Sequence, residues 1–126
     1  MNLSSISWNV EGLKRNLYNL KFFTDLYKPQ MLFLSEPQLF QSDLPQVMKY
    51  FKGEYSAVLN SEDLHTPELA LTSSRPKGGT MVMWGKELNS IVTIHIPDSA
   101  SFTPVVVDIP GWLSMDHIAV YLRVPG

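Results

Sequence analysis

The sequence predicts an α/β fold, and three observations predict it. Two short apolar runs, Ile6–Trp8 and Met31–Leu34, have strand length, and each stops at a polar group, Asn9 in one case and Glu36, just past Ser35, in the other. The segment between them has helical spacing, and a set of strand-like runs separated by Pro, Gly, Asp and Ser follows residue 78. A strand–helix–strand crossover joins parallel neighbours in one sheet, with both carboxyl ends on one edge. Asn9 and Glu36 are therefore expected to meet there.

The elements follow in order. Leu3–Trp8 reads as the first strand, apolar on both faces as in a strand covered by other layers. Gly12 permits a tight turn. From Leu13 to Tyr27, Leu13, Leu17, Leu20 and Tyr27 repeat at helical spacing, Phe23 and Leu26 widen the stripe, and Pro29 ends the helix. Gln30–Ser35 is the second strand. Ser42-Asp43-Leu44-Pro45 reads as a helix start with Ser or Asp as cap, Val47, Met48 and Phe51 give its apolar face, and Gly53 closes it. Tyr55–Leu59 is the third strand.

Asn60–Lys77 is rich in Ser, Thr, Pro and charge, and reads as a long irregular connection of the kind that carries function or mobility. Its His65 is expected to be a solvated loop histidine. Gly78-Gly79 opens the strand Thr80–Trp84, where glycine admits close packing; a phosphate-cradling loop would need more glycines and a following helix. Ile91–Ile96, Pro104–Ile109 and His117–Val124 complete a meander.

Composition bounds the function. A chain of 126 residues is one domain at most, and its 44% apolar content is that of a folded protein. A net charge of −2 gives no bulk attraction for nucleic acid, leaving local contacts from Lys14, Arg15, Lys21, Arg75 and Lys77 if the fold gathers them. The absence of cysteine removes disulfides, thiolate catalysis and the usual zinc clusters. No basic-then-apolar leader opens the chain and no apolar run approaches membrane-spanning length. The chain reads as intracellular, with no membrane partner.

A carboxylate and a carboxamide at the carboxyl edge of a parallel pair make a hard-oxygen site that suits Mg²⁺, an ion that keeps much of its shell as water and substrate phosphate. Strand ends are often polar, so spacing alone leaves open that Glu36 only ends a strand and Asn9 only makes a turn.

The segments Ser7-Trp8-Asn9-Val10-Glu11-Gly12-Leu13 and Lys28-Pro29-Gln30-Met31-Leu32-Phe33-Leu34-Ser35-Glu36 resemble the opening of the endonuclease/exonuclease/phosphatase superfamily. The nearest branches are the apurinic/apyrimidinic endonucleases and the endonuclease domains of non-LTR retrotransposons. Those proteins open with W-N-x-x-G-L and continue with P-D-x-L-x-L-Q-E-T. Here Gln30, Ser35 and Pro37 replace the family's Asp, Gln and Thr, and Glu11 stands where the apurinic endonucleases carry Asp.

The resemblance implies that Glu36 is the principal Mg²⁺ ligand and that Asn9 helps to hold the metal or the phosphate. It implies a Mg²⁺-dependent phosphodiester hydrolase, first of all of retroelement type acting on DNA, with the nucleus as a compartment such an enzyme would occupy; branches acting on RNA tails, phosphoinositides or sphingomyelin share the same opening and stay open as alternatives. Tyr121, in the strand before Pro125, matches a family tyrosine that contacts the scissile phosphate; a packed strand tyrosine is the alternative. Residues 1–126 correspond to the first half of a four-layered α/β sandwich, with a mixed sheet and two helices on one face.

The family's general-base Asp–His pair and Asp-x-Asn motif belong to the second half. No Asp-x-Asn follows Glu36, and Asp116-His117 precedes a strand rather than ending one. The expectation is a truncated, inactive form of the enzyme. A non-catalytic module that pairs an uncovered apolar sheet face with another chain is the alternative.

Overall fold

The structure, a computed structural model, describes residues 4–72, 75–98, 105–109 and 118–119. Strand β1 (Ser5–Asn9) leads into helix α1 (Leu13–Tyr27), which returns the chain to β2 (Met31–Ser35), parallel to β1 and in register from Ser5 opposite Met31 to Asn9 opposite Ser35. Helix α2 (Leu44–Met48) runs on as a short 3-10 turn, Lys49–Phe51, before β3 (Tyr55–Asn60). Strand β4 (Thr80–Gly85) then inserts antiparallel between β2 and β3, so the sheet order is β1-β2-β4-β3. Strands β5 (Thr93–His95), β6 (Val105–Asp108) and β7 (Ile118–Ala119) form a separate antiparallel sheet in chain order, the expected meander.

Alternation along the strands sorts the sheet into two faces. On one, Leu32 and Leu34 of β2, Met81 and Met83 of β4 and Tyr55 and Leu59 of β3 pack against Leu13, Leu17 and Leu20 of α1 and Val47 and Phe51 of the second helical segment. This is the mixed sheet with two helices on one face. On the other, Met31, Phe33, Val82 and Trp84 pack with Leu88, Ile91, Val92, Ile94 and Ile109. The second face is therefore not bare. The segment after β4, with Ile94 of β5 and Ile109 just after β6, lies against it, which corrects the expectation of an uncovered sheet face.

The exposed apolar surface lies on α1 instead. The helix runs Leu13–Tyr27 as the spacing predicts, but its buried stripe is Leu13, Leu17, Leu20 and Thr24. Phe23, Leu26 and Tyr27, placed in the stripe by the sequence, face outward beside Tyr18 and Phe22. A threonine occupies the next inward position because its hydroxyl donates to the Lys21 carbonyl within the helix (2.9 Å), so it brings no unmet polar group into the core. Ser5 and Ser7 of β1 are exposed rather than covered, since β1 is an edge strand among the described residues.

Three local expectations also change. Asp43 does not cap α2: its carboxylate accepts from the Phe40 N–H (2.8 Å) and from Lys14 Nζ (2.9 Å), tying the segment to α1. The Asn60–Lys77 stretch is not wholly irregular, because it folds into α3 (Glu62–His65) and α4 (Leu69–Thr72). His65 is half-buried, with Nε2 2.6 Å from the side-chain oxygen of Asn60, and is not a solvated loop histidine.

Candidate metal and phosphate site at the sheet edge

The turns that leave β1 and β2 are laced together by main-chain hydrogen bonds. The Val10 N–H donates to the Ser35 carbonyl (3.0 Å), the Gly12 N–H to that of Glu36 (2.9 Å) and the Leu13 N–H to that of Pro37 (2.9 Å). From the other side, the Glu36 N–H donates to Gly79 (3.0 Å) and the Gln38 N–H to Gly78 (3.1 Å). Glu36 is thus pinned between the start of α1 and the start of β4, with both of its main-chain polar groups occupied. Asn16 closes the arrangement from within α1, its side-chain N–H₂ donating to the carbonyls of Val10 (2.8 Å) and Gly12 (3.2 Å).

This lacing requires unusual backbone. Glu11, Glu36 and Gln38 all lie in the left-handed region, at φ 45°, 53° and 54°. Non-glycine residues seldom adopt it, and clusters of them occur where surrounding structure holds a functional geometry. Gly12 has φ 99°, and a β-carbon there would stand 3.0 Å from Arg15 Nε and 3.2 Å from Gln38 Oε1. Gly79 has φ 85°, and a β-carbon there would stand 2.9 Å from the Asn60 carbonyl oxygen. Gly79 thus serves close packing, as the sequence suggests, whereas Gly78 has open space around it and serves only the positive φ of the turn (54°).

Register sets the side chains. Asn9, Ser35, Thr80 and Asn60 are paired in turn across all four strands, so they form one row on the face turned toward the second sheet. The row is polar while the rows below it are largely apolar, with Phe33 and Val82 next in line. Ser35, Thr80 and Asn60 are buried. Two of the row's oxygens, Asn9 Oδ1 and Thr80 Oγ1, are buried with no hydrogen-bond partner among the described residues. Buried polar atoms are seldom left so, and an orphan pair at one sheet edge marks a place built for something else to bind.

The structure therefore brings Asn9 and Glu36 together: Asn9 is level with Ser35, one strand spacing of about 4.8 Å away, and Glu36 is the next residue. Tyr121 and Asp116-His117 lie outside the described residues. Of the candidate cations, Lys14 is engaged by Asp43 and Lys21 by Asp25 (2.5 Å). Arg15 lies over the Gly12 turn at the rim of the site. Arg75 and Lys77 line a separate small cavity with Glu62 and Asp63.

The donor set fits a hard, water-rich cation. It offers one carboxylate, one carboxamide oxygen with no other partner and a hydroxyl, all oxygen, and no group of three or more His, Cys, Asp or Glu gathers to hold a metal among the described residues. Sequence reading did not find Thr80, Asn60 or the inward turn of His65. The first two join the site only through the pairing of β4 with β2 and β3.

No protein-family model matches the chain, and no curated protein matches it in sequence. Solved structures do match in fold. A 3′ phosphatase from Neisseria, NExo, bound to a product DNA hairpin, aligns with a TM-score of 0.57 at 16% identity over 87% of this chain. An AP endonuclease from Archaeoglobus fulgidus aligns with 0.56 at 14% over 87%, and the AP endonuclease LMAP from Leishmania major with 0.59 at 17% over 85%. The chain spans 38%, 38% and 35% of those three structures.

Proposed function

We propose, from a chain that has the α/β fold of these endonuclease/exonuclease/phosphatase structures, that it carries the cation-binding part of a phosphodiester hydrolase. Mg²⁺ is the ion of this reading, Glu36 and Asn9 hold it, DNA is the substrate and a retroelement-type endonuclease is the branch; the W-N-x-x-G-L opening, shared with the apurinic endonucleases, supports the reading. The observation that carries the reading is the meeting of Asn9 and Glu36 at a sheet edge where the Asn9 oxygen is buried with no partner among the described residues.

A divalent cation bound there supplies charge neutralisation at phosphate oxygens. The chain's own residues do the remaining work. Glu36, its backbone fixed by main-chain bonds on both sides, carries the carboxylate from a held position on the chain. Asn9 Oδ1 holds the ion or one of its waters. Arg15, exposed at the turn, offers N–H donors to a phosphate, and the apolar rows beneath the site keep bulk water from its floor. Tyr121 contacts the scissile phosphate in this reading. The groups that align the attacking water are not among the residues assigned here, and residues 1–126 alone do not turn over.

Incubation with fluorescent duplex DNA and with supercoiled plasmid tests this. We expect Mg²⁺-dependent DNA binding that EDTA and Glu36→Ala both abolish, without plasmid nicking. Binding indifferent to Mg²⁺ and to Glu36 would contradict the site. Nicking that both controls remove would contradict the claim of inactivity.

One observation favours a second reading, an interaction module. The outward face of α1 exposes Tyr18, Phe22, Leu26 and Tyr27, and a cavity of about 590 Å³, lined by Ile6, Trp8, Phe23 and Tyr27 among others, lies between α1 and β1, whose outer edge has no partner strand among the described residues. An open strand edge next to an apolar groove accepts a further strand. Sedimentation over a range of concentrations decides, since a chain that stays monomeric throughout would argue against self-pairing.

A further inference from the structure

We propose that Thr80 is a positioning residue of the cation site, its hydroxyl oxygen accepting a hydrogen bond from a water in the shell of an ion held by Glu36 and Asn9. The inference rests on the reading of Glu36 and Asn9 as cation ligands.

Thr80 is 7% exposed, and its hydroxyl has no partner among the described residues. It begins a strand whose next residues, Met81, Val82 and Met83, are apolar and buried. Valine has the same shape and would fill the position without burying an unmet hydroxyl, so packing does not account for threonine. A ligand does.

Two features aim the hydroxyl at the Glu36 site rather than elsewhere. Thr80 is level with Ser35, the residue before Glu36, and shares its face with Asn9 on the far side of Ser35. Gly79, the residue before Thr80, accepts the Glu36 N–H at 3.0 Å, so the carboxylate and the hydroxyl are carried by backbone that is directly bonded together. Asn9 and Thr80, the two residues with orphan oxygens among the described residues, thus flank one strand, two strand spacings apart, about 10 Å between their α-carbons. That span is too wide for both to bind one bare ion and suits an ion that keeps its water, as Mg²⁺ does. Asn60, the fourth residue of the row, already has His65 as partner at 2.6 Å, so the orphan hydroxyl is confined to the Glu36 side of the row.

The test is a Mn²⁺ titration followed by the electron paramagnetic resonance signal of the free ion, run on the whole chain and on Thr80→Val, Thr80→Ser and Glu36→Gln, with thermal melts of each in EDTA. Loss of an outer-shell partner weakens metal affinity about 10- to 100-fold. We expect that loss in Thr80→Val, binding close to wild type in Thr80→Ser, which keeps the hydroxyl, and none in Glu36→Gln. In EDTA, Thr80→Val should melt at or above the wild-type temperature, because an unpartnered buried hydroxyl has been removed. Thr80→Ala repeats the comparison if the valine does not fit. Undiminished Mn²⁺ affinity in both Thr80→Val and Thr80→Ala, with binding lost in Glu36→Gln, would overturn the role of Thr80 and leave the cation site standing. No saturable binding by the wild-type chain would overturn both.

Discussion

Glu36 turns the chain into the left-handed region at φ 53°, and it holds that conformation because its N–H and C=O are bonded to Gly79 and Gly12. The glycines on either side are therefore part of the same device. At Gly79 any β-carbon meets the Asn60 carbonyl at 2.9 Å in a backbone region that L-residues avoid. Gly79→Ala is expected to destabilise the chain by about 1–3 kcal/mol. Gly78, also at positive φ but with open space around it, should tolerate alanine at about 1 kcal/mol. Urea denaturation of the two variants side by side checks the difference.

Tyr55 offers a second residue-scale prediction. Its buried hydroxyl donates to the Pro29 carbonyl at 2.6 Å, linking the first residue of β3 to the turn before β2. Burial, helped by the nearby carboxylates of Glu54, Glu87 and Asp25, raises its pKa from 10.0 to about 12. The folded chain holds that proton more tightly than the unfolded one. The stability this confers is complete below pH 10 and is lost as the pH rises from there through about 12. Tyr55→Phe should cost about 1 kcal/mol at neutral pH and should flatten that alkaline decline, as read by denaturation at a series of pH values.

At the scale of elements, α1 shows what periodicity can and cannot convey. Its limits were legible because Gly12 and Pro29 bracket an unbroken helical pattern. Its orientation was not, because Leu13, Leu17 and Leu20 are compatible with two adjacent stripes, one continued by Thr24 and the other by Phe23 and Tyr27. Hydrophobicity favours the second; the sheet selects the first. Leu20→Ala should therefore cost about 2–5 kcal/mol, while Phe22→Ser, at a position 60% exposed, should change stability by no more than about 0.5 kcal/mol. Thermal or chemical unfolding of the two variants separates core from surface on one helix. The same limit holds at the sheet edge: that Asn9 lies level with Ser35, beside Glu36, was readable because a crossover helix forces parallel neighbours. Thr80 was not, since its place beside Ser35 depends on a long-range antiparallel insertion that no local pattern encodes.

Taken whole, the chain is a mixed sheet with helices on one face and part of a second sheet on the other, and it spans little more than a third of the structures whose fold it shares. Its apolar liability is the outer face of α1, where Tyr18, Phe22, Leu26 and Tyr27 are exposed. Replacing Phe22 and Leu26 together by serine should suppress any concentration-dependent association seen in sedimentation without loss of fold. Among the described residues no helix is long and apolar enough to cross a membrane.

Cation binding at the sheet edge where Asn9 and Glu36 meet underlies the proposed function. The most direct measurement is a Mg²⁺ titration of the isotope-labelled chain followed by nuclear magnetic resonance. Saturable shifts centred on the Asn9 side-chain amide and the backbone amides of Gly12, Glu36 and Gly79, absent in Glu36→Gln, are predicted. Shifts confined to exposed carboxylates such as Glu62 and Glu68, or unchanged in Glu36→Gln, would contradict it.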